Sequence, residues 1–126
     1  MAMRYRFDRD RDRDRGLVEV VIEGEITAEG LLEWTEQLRG DPDFSAEVDQ
    51  LVDLRRATGV SMETSEVRSF AQGQPLFKPA ARRAVVVGSE FDFGMARMFQ
   101  VMRGDEAGEI RVFRDIDEAR RWLAVD

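Results

Sequence analysis

The chain has 126 residues, 43% of them apolar, which suggests one domain with its own core and leaves little room for two. Asp and Glu number 26 against 19 Lys and Arg, and the resulting net charge of -7 argues against non-specific binding to nucleic acid or anionic lipid. Cysteine and histidine are absent, which excludes disulfides, thiolate nucleophiles, imidazole bases, a Ser-His-Asp triad and any zinc site built from Cys or His.

Met1 to Asp8 contains no apolar stretch of the secretory kind. No uninterrupted apolar run is longer than that of Ala84 to Val87, far short of the roughly 20 residues of a spanning helix. A cytoplasmic protein without an integral membrane segment is therefore expected. Met3, Tyr5 and Phe7 alternate with Arg4 and Arg6, the pattern of a half-buried strand. Asp8 to Arg15 is a strict Asp-Arg alternation. An extended arm of that kind would sort its acids and bases onto opposite faces, but the charges cancel, and the segment reads as a solvated, self-neutralising loop. Leu17 to Ile22 is a second strand, and the two form an antiparallel hairpin.

Gly24 closes the second strand. Thr27 is the N-cap of a helix with Glu29 in its first turn. Leu31, Trp34, Thr35 and Leu38 form its apolar stripe, and Gly40 ends it ahead of the turn Asp41-Pro42-Asp43. Val48 to Leu54 is the third strand. Ser61 or Thr64 caps a second helix, with Val67, Phe70 and Ala71 on its buried side. Ala84 to Val87 has the character of a central parallel strand covered on both faces. Phe91, Met95, Met98, Phe99 and Met102 form the clearest helical stripe in the chain. Glu109 to Phe113 is the last strand. Asp115 opens a final helix through an Asp-x-x-Glu start, with Ile116, Ala119 and Leu123 turned inward and Trp122 at the edge. The expected fold is a single α/β domain over residues 1–126. It has a mixed sheet with an N-terminal antiparallel hairpin, parallel βαβ units and four helices.

Three stretches carry a family resemblance. Val20-Val21-Ile22-Glu23-Gly24-Glu25-Ile26-Thr27 resembles the strand-Gly-x-Ile-Thr entry to the first helix of STAS domains. Asp41-Pro42-Asp43-Phe44 followed by Leu51-Val52-Asp53-Leu54 resembles their Asp-Leu strand end. Val112-Phe113 through Glu118-Ala119 to Trp122-Leu123 resembles their closing strand and helix. In order, and spanning nearly the whole chain, they make the sequence similar to the stand-alone SpoIIAA-like branch of that superfamily, which includes the bacterial anti-sigma-factor antagonists. The resemblance implies a SpoIIAA-like fold and either protein partners or a small or lipid-like ligand held near the Phe91 to Met102 helix. The antagonists carry a phosphorylated serine in an Asp-Ser-Ser-Gly stretch. The corresponding positions here read Ser61-Met62-Glu63-Thr64-Ser65, without that motif, so Ser61, Thr64 and Ser65 are the candidate phosphorylation sites.

Two sets of residues could form a site. Ligands of open α/β sheets bind beyond the carboxyl ends of the parallel strands, near helix N-termini. Asp53, Arg55, Arg56, Thr58, Ser61, Ser89 and Asp92 would ring such a crevice, although Ser, Thr and Asp also favour these positions as caps and turns. Phe91, Met95, Met98, Phe99 and Met102 could hold a lipid-like molecule or dock a partner, or serve as ordinary core. No metal site is expected. Asp41 and Asp43 start like a calcium loop, but Pro42 and Phe44 break it. The expected function is a non-catalytic regulatory or binding module, without cofactor, that engages a protein partner or a small apolar ligand. The rivals are a phospho-switched anti-sigma-factor antagonist and a small carboxylate-dependent enzyme. A free edge strand with an exposed Trp34 or Trp122 would suit a homodimer.

Overall fold

The computed structural model describes residues 1–8, 16–44, 48–71, 81–88 and 109–124. The elements run β1 (Ala2–Asp8), β2 (Leu17–Thr27), α1 (Ala28–Arg39), β3 (Asp49–Ser61), α2 (Thr64–Ala71), β4 (Arg82–Val86), β5 (Glu109–Phe113) and α3 (Ile116–Ala124). The five strands lie in sequence order, with β1 antiparallel to β2 and every later pair parallel. The described residues thus hold three helices, not four. The helix expected from Phe91 to Met102 lies outside them, as do most of the Asp8–Arg15 run and the side chains of Val67, Phe70 and Ala71.

Alternation along β2 divides the core in two. Val18, Val20, Ile22 and Ile26 pack with Trp34 and Leu38 of α1, and Met3, Tyr5 and Phe7 of β1 lean on the same cluster. Leu17 points the other way. It joins Leu51, Ala84 and Val86 beneath Ala119 and Leu123 of α3. The sheet therefore carries α1 on one face and α3 on the other, and α2 packs beside α1.

Two strands are longer than their sequences suggest. β2 does not stop at Gly24 but continues to Thr27. Gly24 carries a positive φ of 83°, which suits a residue without Cβ, and the pairing with β3 shifts register on either side of it. β3 likewise continues beyond Leu54. Its last pair with β4 is Asp53 with Val86, yet it stays paired with β2 until Ser61 meets Thr27. β2 and β3 thus project as a two-stranded ribbon beyond β4. β4 itself begins at Arg82, because the buried Asp49 carboxylate accepts the Arg82 backbone N–H at 2.8 Å.

The helix ends follow local chemistry. The Thr27 hydroxyl caps α1 by accepting the Gly30 N–H at 3.0 Å. Gly40 closes the helix in a right-handed conformation, its N–H bonded to the Glu36 carbonyl, so no left-handed residue is needed there. Asp115 caps α3 by accepting the Asp117 N–H at 2.7 Å and the Glu118 N–H at 3.4 Å. Trp34 is buried and so cannot serve as an exposed dimer contact. Trp122 is half-buried between the guanidinium groups of Arg82 and Arg111.

Leu38 has no exposed surface and sits where α1 meets β2. Leu38→Ala removes buried methyl groups and leaves a cavity, so urea unfolding should show a loss of about 2–5 kcal/mol. A loss below about 1 kcal/mol would show that α1 does not seal this side of the core.

Candidate functional site

The carboxyl end of β3 is organised by Asp53 and Arg55. The Asp53 carboxylate accepts the Arg55 backbone N–H at 3.0 Å, Nε at 2.9 Å and Nη2 at 2.8 Å, a two-pronged pair closed over two residues. The Arg55 side chain holds this carboxyl below its ordinary value, outweighing a burial that would raise it. The same hydrogen bond raises the Arg55 guanidinium, and Asp115 and Asp117 at the start of α3 add to that. Asp53 therefore acts as the anchor that orients Arg55.

Beyond this clasp the site residues are exposed and spread along one strand. Arg55, Arg56, Thr58 and Ser61 all reach solvent, on β3 itself and not on a loop around a crevice. Ser61 does not cap the next helix, nor does Thr64. Glu66 reaches back instead, its carboxylate accepting the Glu63 N–H at 3.0 Å, which is half of a capping box and makes Glu63 the residue before the first turn. Thr64 and Ser65 are thereby left exposed in the first turn of α2. The structure brings Asp53 and Arg55 together and sets Thr58 and Ser61 on the path from them to Thr64 and Ser65. Ser89, Phe91, Asp92, Met95, Met98, Phe99 and Met102 lie outside the described residues. Among the described residues no three His, Cys, Asp or Glu side chains group as a metal site would need.

A further set of charges is not evident from any single segment. On the α3 side of the sheet, Glu23 Oε1 accepts Arg4 Nη2 and Arg56 Nη1, each at 3.1 Å. One row along, Glu19 Oε2 accepts Arg6 Nε at 2.7 Å, and Glu19 Oε1 pairs with Arg120 of α3. The signal was present as an alternation: Arg4 and Arg6 on β1 and Glu19 and Glu23 on β2 fall on matching faces once the hairpin register is known.

The sequence matches the SpoIIAA-like family over residues 17–124, and the chain belongs to that family. Among curated proteins nothing matches it significantly. Its fold is similar to the crystal structure of an uncharacterized protein of the DUF3478 family, with a SpoIIAA-like fold, from Shewanella loihica PV-4. That comparison has a TM-score of 0.62 and 20% identity, and covers 97% of this chain and 94% of the other. The expected STAS-like resemblance thus holds for the fold. No described helix is long and apolar enough to cross a membrane.

Because the folded-state pKa of Asp53 is lowered, its pairing stabilises the domain fully above the unfolded carboxylate value of about 3.9 and is lost as pH falls through the lower folded value. Asp53→Asn should cost roughly 1–3 kcal/mol at neutral pH, toward the low end because Arg55 is half in water. The deficit should shrink when urea unfolding is repeated near pH 3. A deficit of the same size at both pH values would show that the ion pair contributes no pH-dependent stability.

Proposed function

We propose that the domain is a non-catalytic regulatory module that docks a protein partner on the rim formed by the end of β3 and the start of α2. The observation that carries this reading is the projecting ribbon. β3 continues past its last pair with β4 and presents Arg55, Thr58 and Ser61, then leads into the exposed first turn of α2. Polar side chains on a braced strand form a preorganised contact surface, which lowers the ordering cost of association. The SpoIIAA-like fold and the family membership support a module of this kind. The alternative occupant, a small apolar ligand, rests on Phe91 to Met102, outside the described residues, so a protein partner is the version this geometry favours.

A phosphorylation switch is the second reading, favoured by the exposed Thr64 and Ser65 hydroxyls in a first turn that Glu66 already caps. A phosphate there would face the partial positive charge of the helix N-terminus and would change the charge of the docking rim.

A photo-crosslinking residue in place of Thr58 should capture a discrete protein in cells, and the same residue in place of Gln37, at the far end of α1, should not. Equal capture from both positions would discard the rim as the docking surface. Mass spectrometry of protein recovered across growth conditions tests the switch. Modification at Ser61, Thr64 or Ser65 is expected, and its consistent absence there removes that reading.

A further inference from the structure

The arginine ladder on the α3 side of the sheet carries more positive charge than the fold requires. Four guanidinium groups, those of Arg4, Arg6, Arg56 and Arg120, share the two carboxylates of Glu19 and Glu23. One arginine per glutamate would satisfy the buried Glu19 and the half-exposed Glu23. Within these ion pairs the guanidinium groups outnumber the carboxylates four to two, on a chain whose net charge is -7. Arg4, Arg6 and Arg56 are 71%, 69% and 68% exposed, so their head groups stand in water. Each guanidinium has five N–H donors, and the ion pairs use only one or two of them. The glutamates fix the orientation of these forks and leave donors on the outer side, the geometry in which arginine grips a second carboxylate.

We infer that this half-open face, built from β1, β2 and the adjoining part of β3, docks a carboxylate-rich segment of a protein partner, on a surface separate from the rim proposed above. Charge complementarity selects the occupant. The remainder of the chain is more negative than the whole, so it repels long polyanions such as nucleic acid and the surface of an anionic membrane. A short acidic segment need touch only the ladder. Its carboxylates meet guanidiniums already held in place, so fewer rotamers are lost on binding.

The probe is a fluorescein-labelled oligoglutamate peptide, titrated with the full chain and followed by anisotropy. Saturable binding is expected that weakens between about 50 and about 200 mM salt. It should fall about tenfold in Arg4→Gln/Arg56→Gln, and tighten in Glu23→Gln, which releases both arginines. Arg4→Gln and Arg56→Gln singly provide the same test if the double variant loses its fold by circular dichroism. Absence of saturable binding, or equal binding by parent and variants, overturns the proposal. So does tighter binding of an oligonucleotide of matched charge, or self-association of the chain that Arg4→Gln abolishes, since each would assign the face to another occupant. The Thr58 crosslink should persist in the arginine variants, so failure of one surface is distinguishable from failure of the other.

Discussion

β2 and β3 pair in parallel from Leu17 and Asp49 to Thr27 and Ser61, a ladder more than twice the length of β4 or β5. The other elements are attached to it. α1 bridges its two strands, and β1 pairs along the outside of β2. β4 and β5 extend the sheet only from the amino-terminal part of β3. Long strands coil and twist, and a register that stayed regular over this length would carry the far end away from α1. The shifts on either side of Gly24 take up that mismatch and keep Ile26 in the same cluster as Val18, Val20 and Ile22.

The two faces of this ladder meet different solvents, and the side chains follow. Under α1 the alternating positions are Val18, Val20 and Ile22, and area removed from water is the dominant gain. On the opposite face α3 lies over β3, β4 and β5, and at the β2 positions Leu17 alone is apolar core while Glu19 and Glu23 carry charge. A carboxylate as buried as Glu19 is costly unless it is paired. Arg6 from one side and Arg120 from the other supply that pairing, so the final helix is fixed both by Ala119 and Leu123 below and by an ion pair at the margin. The Tyr5 hydroxyl does comparable work on the α1 side. It donates to Asp41 at 2.8 Å and joins the edge strand to the turn after the helix. Burial and the Asp41 carboxylate together push that phenol above its ordinary value, so it remains a donor across the neutral range.

How much of this could be read beforehand depended on whether the signal was local. The Thr27 cap, the Asp115 cap and the inward positions of Ala119 and Leu123 are written within one helical turn, and the structure places them as expected. The parallel sheet followed from the alternation of strand and helix. The ends of β2 and β3 did not, because Gly24-Glu25 and Arg55 to Gly59 are polar and glycine-containing, and in isolation they look like turns. They are strands because each supplies the other's hydrogen bonds, a property of the pair that neither segment shows alone. Trp34 fitted a buried helical stripe as well as an exposed contact. The apolar side of the hairpin settles it in the core. The candidate site was legible where it was short-range, as in the two-residue step from Asp53 to Arg55. The glutamate-arginine ladder, spread over β1, β2, β3 and α3, needed the register of three strands before its members could be recognised as neighbours.

The register shift in β3 joins the two surfaces. Consecutive residues of a regular strand point to opposite faces, yet Arg55 closes on Asp53 beside the acidic start of α3, while Arg56 reaches Glu23 on the same side of the sheet. Val21 pairs with Asp53 and Glu23 with Arg56, so one extra residue is accommodated between them. That residue is what turns two neighbouring arginines toward one face. Without it, one of them would be directed into the cluster beneath α1, where a guanidinium would have to be desolvated. The bulge therefore sets Arg55 at the rim proposed for docking and Arg56 in the glutamate-arginine ladder, as adjacent links of one chain.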